Sequence, residues 1–244
     1  MRQRKIYNQL LDDKARGKKS IAILIDPDKA TEEHLIKLIA VSEGNCIPYF
    51  FIGGSLITSV AFNSTIAFLK KNTSVPLLIF PGSNSHIDDR ADAILFLSLI
   101  SGRNPEFLIG QHVVAAPRLK DSLLEILSTA YILIDGGKPT TVSYISNTTP
   151  IPNDKPEIVA STALAGELMG MGLIYLDSGS GALTPVSAEI IKRTREWITS
   201  PIIVGGGIDN LSKVKACFDA GADVVVVGNA VEKDLRFVEE LGNF

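Results

Sequence analysis

The sequence contains very little cysteine, with Cys46 and Cys217 as its two thiols among 244 residues. Two cysteines cannot build a disulfide framework or a cysteine-rich zinc site, so both of these classes are excluded. The chain also has no excess of positive charge, because 24 Lys and Arg residues face 27 Asp and Glu residues and leave a net charge of −3. Broad binding of nucleic acid through charge needs a basic surface, so we expect no nucleic-acid partner.

Long hydrophobic runs are also missing. The longest ones have the length of a strand, far short of the roughly 18 residues that cross a bilayer, so we expect no transmembrane segment. The first nineteen residues contain no apolar run of signal-peptide length, which favours a cytoplasmic protein. We expect this segment to form a helix that plugs one end of the fold. The HExxH, CxxC and Walker motifs are absent as well, which excludes the enzyme classes that depend on them.

Eight short runs rich in branched aliphatic residues are spread over the whole chain. Continuous apolar runs of this length are typical of parallel strands buried on both faces. Helical periodicity separates most of them, as in 31–42 and 187–198, which begin at Thr31 and Ser187. This alternation predicts an α/β fold with one domain over 1–244, a closed (β/α)8 TIM barrel. The predicted strands are 21–26, 47–53, 76–81, 93–98, 131–135, 173–178, 201–207 and 223–228.

Two connections depart from the alternation. Residues 82–93 are too few to hold a helix and two loops, so we predict that the helix between strands three and four is missing or reduced to a turn. Residues 136–156 contain four prolines and many Ser, Thr and Asn residues. They predict a long loop over one end of the barrel, in which a short hairpin is one option.

Polar residues and glycines follow several strands, at the end where the active sites of such barrels lie. The stretch 26–28 follows strand one, and its carboxylates suit either a Mg²⁺ site or a simple capped turn. Gly53, Gly54 and Ser55 follow strand two, where glycines admit a close ligand and the serine supplies an oxygen or a helix cap.

The stretch after strand six has the highest density of polar groups. It combines a phenol, a carboxylate, two hydroxyls and two glycines, which predicts a site for a polar ligand rather than a turn alone. Its residues are Tyr175, Leu176, Asp177, Ser178, Gly179, Ser180 and Gly181.

Glycine-rich turns follow strands seven and eight, at 205–207 and 228–229. These two loops form the usual phosphate site of many barrels, where backbone N–H groups hold the anion. Tight turns alone would not need three consecutive glycines. One phosphate site and a Mg²⁺ carboxylate opposite it imply two phosphorylated groups, which favours transfer between two substrates over isomerisation of one.

At these clusters the sequence resembles the geranylgeranylglyceryl phosphate synthase family and the related bacterial heptaprenylglyceryl phosphate synthases. The resemblance covers nearly the whole chain, and the stretch 175–182 is its most specific part. The other matching segments are 25–29, 51–55, 109–117, 150–174 and 201–234.

The resemblance implies a prenyltransferase of ether phospholipid biosynthesis. Such an enzyme joins sn-glycerol 1-phosphate to a polyprenyl diphosphate, usually geranylgeranyl diphosphate, and releases pyrophosphate in the presence of Mg²⁺. It implies that Asp26 and Ser55 bind the metal and that Asp177 binds or deprotonates the attacking hydroxyl. Residues 175–181 would then hold glycerol phosphate. Its phosphate would lie on Gly206, Gly207, Gly228 and Asn229. A homodimer or a hexamer is also implied.

Three positions differ from the common pattern of the family. Asp177 replaces a frequent Glu, Asn229 replaces a common Thr, and Leu24 occupies a position where some members have Lys. The shorter Asp side chain leaves its role as a base open. The missing Lys needs compensation, for which Lys29 or solvent are candidates.

The donor's chain needs an apolar groove, which the missing helix would open beside Phe96, Leu97, Leu99 and Ile100. Other functions stay open from the residues alone. They are another phosphate-binding barrel enzyme (an isomerase or a diphosphate-coupling enzyme), a flavin-binding barrel and a non-catalytic phosphometabolite-binding protein.

Overall fold

Eight parallel strands form a closed barrel in chain order, and β8 pairs with β1. The computed structural model describes residues 4–45, 47–54, 56–57 and 61–242. The predicted TIM barrel is therefore confirmed. Its strands are β1 (Ser20–Ile25), β2 (Tyr49–Gly53), β3 (Leu77–Phe80), β4 (Ala93–Leu99), β5 (Glu125–Leu133), β6 (Leu173–Asp177), β7 (Ile202–Gly205) and β8 (Val224–Val227).

Helices surround this barrel. The side chains of Thr31 and Ser187 accept hydrogen bonds from backbone N–H groups and start α2 and α7, as the sequence predicts. A π-helical turn (Glu106–Gly110) leads into α4. The helices are α1 (Lys5–Ala15), α2 (Glu32–Gly44), α3 (Ala61–Asn72), α4 (Gln111–Asp121), α5 (Thr141–Ser146), α6 (Pro156–Leu168), α7 (Ala188–Trp197), α8 (Leu211–Asp219), α9 (Asn229–Lys233) and α10 (Arg236–Leu241).

The strands are buried on both faces, and alternate residues serve two different layers. On β6, Ile174 and Leu176 pack in the layer between sheet and helices, whereas Tyr175 packs inside the barrel with residues such as Phe51. Because side chains alternate along a strand, Asp177 faces the same side as Tyr175. This alternation brings the carboxylate to the inside of the barrel at its carboxyl end.

Helix α1 closes the opposite end of the barrel. Its residues Ile6 and Leu10 pack with the interior side chains. The N–H groups of Ile6 and Tyr7 each donate to a carboxylate oxygen of Glu125 at 2.8 Å, which fixes the first turn of α1 to the start of β5. The predicted plug is therefore confirmed. Among the described residues, no helix is both long and apolar enough to cross a membrane.

The predicted loss of a helix between β3 and β4 is also confirmed, since residues 81–92 contain turns and bends but no helix. Two other predictions need correction. Strand β5 begins at Glu125 and not at 131, because its first half carries polar residues such as Ser128 that break the apolar run. The loop 136–156 contains helix α5 in place of a hairpin, although a single bridge joins Ile134 to Ile151.

Candidate functional site

A cleft lies at the carboxyl ends of the strands, and most of the predicted site residues line it. They come from the last residues of β6 and from the segments after β1, β6, β7 and β8, which the closed barrel brings to one end. The predicted residues in this cleft are Asp26, Tyr175, Asp177, Ser180, Gly181, Gly206, Gly207, Gly228 and Asn229.

Three predicted residues that the structure describes do not line the cleft. Leu176 is fully buried in the outer layer of the barrel. Ser178 is buried beside Gly136, and its hydroxyl has no hydrogen-bond partner among the described residues. Gly179 packs against Thr140 and contributes through its backbone. Ser55, the second predicted metal ligand, lies outside the described residues.

The carboxylate of Asp177 is buried and has two donors. The Tyr131 hydroxyl donates to Oδ2 at 2.5 Å, and the Gly179 N–H donates to Oδ1 at 2.8 Å. Burial raises the pKa of Asp177 from its ordinary value, and these two hydrogen bonds act against that rise. Each oxygen retains a lone pair, so the carboxylate can still accept a proton or a hydrogen bond from a ligand.

Two phenols surround this carboxylate. In the sheet Tyr131 lies opposite Tyr175, and their rings are 5.5 Å apart. Burial, followed by the charge of Asp177, raises the pKa of both phenols well above the ordinary value. Both hydroxyls therefore stay protonated at neutral pH and can act as donors.

Gly206 allows the turn after β7 to lie against this acid. Its φ is +84°, and a Cβ there would lie 2.8 Å from Asp177 Oδ1 and 2.7 Å from the backbone nitrogen of Gly179. Those atoms are close to fixed backbone, so a larger residue would push the loops apart. Gly206 therefore allows Asp177 and the predicted phosphate-binding turn to lie close together.

A cluster of charges lies at the mouth of the cleft. Lys29 Nζ is 3.1 Å from Asp26 Oδ2 and 3.1 Å from Glu232 Oε2. Burial lowers the pKa of Lys29, but the hydrogen bonds to these two acids outweigh it, so the pKa is raised. Within the described part of the chain, no group of three or more His, Cys, Asp or Glu side chains could hold a metal ion.

An apolar cavity adjoins the cleft where the helix between β3 and β4 is missing. Gly54 and Phe80 line both spaces, and Tyr131, which contacts Asp177, also lines the cavity. Other lining residues come from β4, the π-helical turn, α4 and α5, and they include Phe96, Leu97, Leu99, Phe107, His112, Ala115, Leu119, Val142 and Ile145. The prediction for Ile100 needs correction, because its side chain packs against Gly166 on the outer side of the sheet.

Sequence reasoning missed two residues of this region. Tyr131 and Lys138 lie at and after the end of β5, and the stretch Gly136–Lys138 has the same strand-end glycines as the other clusters. That signal could have identified Lys138, which lines the cleft. The sequence around Tyr131 has no feature that marks it as a site residue, because its hydroxyl contacts Asp177 on the neighbouring strand β6.

Comparison with known proteins places the chain within one protein family. A profile of the PcrB family matches residues 14–242. The geranylgeranylglyceryl phosphate synthase of Chitinophaga pinensis is 49% identical over 239 residues, which cover 98% of this chain and 95% of that protein. The one of Spirosoma linguale is 51% identical over 232 residues, which cover 95% of this chain and 93% of that protein.

A solved structure is similar over the whole barrel. The crystal structure of (S)-3-O-geranylgeranylglyceryl phosphate synthase from Thermoplasma acidophilum, in complex with its substrate sn-glycerol 1-phosphate, matches with a TM-score of 0.91 and 32% identity. The match covers 98% of this chain and 96% of that one. The chain therefore belongs to the PcrB family, and over almost its whole length it is related to geranylgeranylglyceryl phosphate synthases.

Proposed function

We propose that this protein is a prenyltransferase that joins sn-glycerol 1-phosphate to geranylgeranyl diphosphate in ether phospholipid biosynthesis. One observation carries the proposal: the buried Asp177 lies where a polar cleft meets an apolar cavity. A site with one polar and one apolar compartment suits the transfer of an isoprenoid chain to a small phosphorylated alcohol. The names of the relatives and the ligand of the Thermoplasma acidophilum enzyme support the same substrates.

The acceptor's phosphate would bind at the turns after β7 and β8. Gly206 and Gly207 have positive φ angles, so their backbone can form a tight turn without side chains in the way. Gly228 follows β8 and Asn229 begins α9, and the Ser180 hydroxyl is 3.3 Å from Asn229 Oδ1. Backbone N–H groups and small polar side chains of this kind hold phosphate oxygens.

Asp177 would accept the proton of the attacking hydroxyl. The glycerol oxygen forms a bond to the first carbon of the prenyl chain, the bond from that carbon to the diphosphate oxygen breaks, and pyrophosphate leaves with the bonding electrons. A hydroxyl is a weak nucleophile, so a fixed orientation and a carboxylate base are the help that it needs. Tyr131 and Gly179 hold both carboxylate oxygens and thereby orient the base.

The residues at the mouth of the cleft fit Mg²⁺. This ion commonly binds one or two protein carboxylates together with substrate phosphates and water, so it needs no cluster of three acids. Asp26 offers a carboxylate that already holds a cation, the ammonium group of Lys29. Asp26, with Ser55 as the second proposed ligand, would hold the ion beside the diphosphate. Bound there, Mg²⁺ supplies positive charge that stabilises the leaving group.

The donor's chain would occupy the apolar cavity. On α4 the side chains of His112, Ala115 and Leu119 line this cavity at one-turn intervals, while Val114 on the same helix is 61% exposed. The cavity therefore extends along the inner face of α4. Its length along the helix would limit the length of the chain.

Replacing Ala115 by Phe is expected to shorten the accepted chain. The larger ring fills space that the distal isoprene units would occupy, so kcat/KM with geranylgeranyl diphosphate should fall about tenfold or more, in line with the cost of overfilling an apolar pocket. Activity with geranyl or farnesyl diphosphate should fall much less. Product analysis across these donors measures the change. A116F is the matched control, because Ala116 is the next residue of α4 and is exposed, and equal losses with all donors would argue against this cavity.

Replacing Tyr131 by Phe is expected to move the acidic limb of the pH–kcat profile to higher pH. Burial raises the pKa of Asp177, and the Tyr131 hydrogen bond lowers it, so removing that bond raises the pKa further. The reaction needs the ionised acid, and activity is lost as the pH falls through this pKa. Y175F should leave the limb in place, because Tyr175 makes no hydrogen bond to the acid. A limb that does not move in Y131F would belong to another group.

The test of the function is a direct assay. Purified protein is mixed with Mg²⁺, labelled sn-glycerol 1-phosphate and geranylgeranyl diphosphate, with farnesyl and longer donors in parallel, and the mixture is extracted with organic solvent. Label in the organic phase that disappears with EDTA is the expected result. An absence of organic label with every donor would overturn the proposal.

We further propose one domain over 1–244, a cytoplasmic location and a homo-oligomer, either a dimer or a hexamer. Exposed apolar side chains on the π-helical turn, α4 and α5 support an oligomer, because burying them between subunits would be favourable. They are Ile109, Val113, Val114 and Tyr144. Sedimentation velocity of the purified chain would show a single monomeric species if this proposal is wrong, and fractionation of cells would check the location.

A further inference from the structure

The loop that carries Lys138 is fixed over the loop that follows β6. The carbonyl of Gly136 accepts hydrogen bonds from the N–H groups of Leu183, at 2.8 Å, and Thr184, at 3.1 Å. Gly137 has a φ of +85°, which turns the chain at this point. The side chain of Lys138 therefore leaves a backbone that is held at the rim of the cleft.

The ammonium group of Lys138 lies beside the proposed phosphate site. A Cβ at Gly181 would be 3.8 Å from Lys138 Nζ and 3.7 Å from Asn229 Nδ2. Two donors from different loops thus approach one point above Gly181, and the Ser180 hydroxyl contacts the same asparagine. Several donors that converge on one point are the arrangement that the oxygens of an anion require.

The ammonium group of Lys138 is available to bind a ligand. Two other lysines, Lys29 and Lys233, also line the cleft, and Lys29 is held by Asp26 and Glu232. Leu24 places an aliphatic side chain at the end of β1, so that strand contributes no cation. Lys138 lines the cleft and makes no hydrogen bond or ion pair within the described ranges of the chain.

We propose that Lys138 binds the phosphate of sn-glycerol 1-phosphate through a charge-assisted hydrogen bond. The glycine turns offer backbone N–H groups, which carry only partial positive charge, whereas the phosphate is close to a dianion at neutral pH. One ammonium group beside Gly181 supplies a full positive charge there. This inference rests on the proposed function and adds a binding residue outside the glycine turns.

Replacing Lys138 by Met is expected to raise KM for sn-glycerol 1-phosphate about tenfold, the lower end of what a hydrogen bond to a charged group contributes. The kcat and the KM for the prenyl donor should change less than about twofold, because the lysine contacts only the acceptor's phosphate. Isothermal titration with sn-glycerol 1-phosphate alone should show the same loss of affinity. K138R should restore most of the binding, because Arg keeps the charge and the donors.

Lys192 provides the matched control, because it is an exposed lysine on α7 and K192M changes the net charge equally. Binding by K192M should equal that of the unchanged protein. Unaltered affinity in K138M, or an equal loss in both variants, would overturn the inference. Failure of the proposed function is distinguishable, because the unchanged protein would then form no product with any donor. The titration, which needs no donor, would still decide whether Lys138 binds the phosphate.

Discussion

Replacing Asp177 by Asn is expected to lower kcat about a thousandfold, within the range that a positioned general base contributes. The amide has nearly the same shape as the carboxylate, and its oxygen can still accept the Gly179 N–H, while the Tyr131 hydroxyl can rotate and accept from the amide nitrogen. The loop should therefore keep its fold. Affinity for sn-glycerol 1-phosphate should change only a few-fold, because the proposed phosphate site is untouched. Initial rates and calorimetric titration of the variant measure these two effects.

The matched control for this experiment is D154N, which alters an acid with a largely exposed side chain in the loop before α6. It should retain the rate of the unchanged protein. A small loss of kcat in D177N, combined with a large loss of affinity, would show that the carboxylate binds the substrate and does not take its proton. The short side chain makes this distinction informative, because an Asp can serve as the base only if the acceptor's hydroxyl comes close to the strand end.

The barrel could be predicted from the sequence because a parallel strand that is buried on both faces has a continuous apolar run among its own residues. Runs such as those of β1 and β8 are apolar at nearly every position, and their short length and branched residues favour a buried strand over a segment of a buried helix. Strand β5 was located only in part, since Ser128 and Thr129 interrupt the run. Helix α5 is short and contains Val142 and Ile145, which have modest helix propensity and line the apolar cavity, so its residues alone favour a helix only weakly.

The sequence predicted which strand ends form the candidate site, but it did not predict which side chains there face the cleft. The stretch 175–181 was treated as one group, whereas strand alternation turns Leu176 away from the cleft. Side chains alternate between the two faces of a strand, so the sequence alone already indicated that Leu176 points away from the side of Tyr175 and Asp177. The contacts of Tyr131 and Lys138 were not available, because they depend on which loops and strands the closed barrel places side by side.

Replacing Asp26 by Ala is expected to lower kcat about a hundredfold or more and to raise the Mg²⁺ concentration needed for half-maximal activity. A metal ion on a phosphoryl oxygen contributes several kcal/mol to a developing charge, and Asp26 is the proposed protein carboxylate that holds it. The substitution also frees Lys29, whose ammonium group then pairs with Glu232 alone. Titration of activity with Mg²⁺ at a fixed donor concentration separates the loss of metal affinity from the loss of rate.

E32A is the matched control, because it removes an exposed acid at the start of α2, shortly after the same segment. Its Mg²⁺ dependence should match that of the unchanged protein. If D26A required no more Mg²⁺ than E32A, the ion would be held elsewhere, and the acid at position 26 would act mainly as the partner of Lys29. A shift confined to D26A would instead mean that the segment after β1 binds the diphosphate through the metal. The cleft would then hold one anion through Mg²⁺ and the other through backbone N–H groups and Lys138.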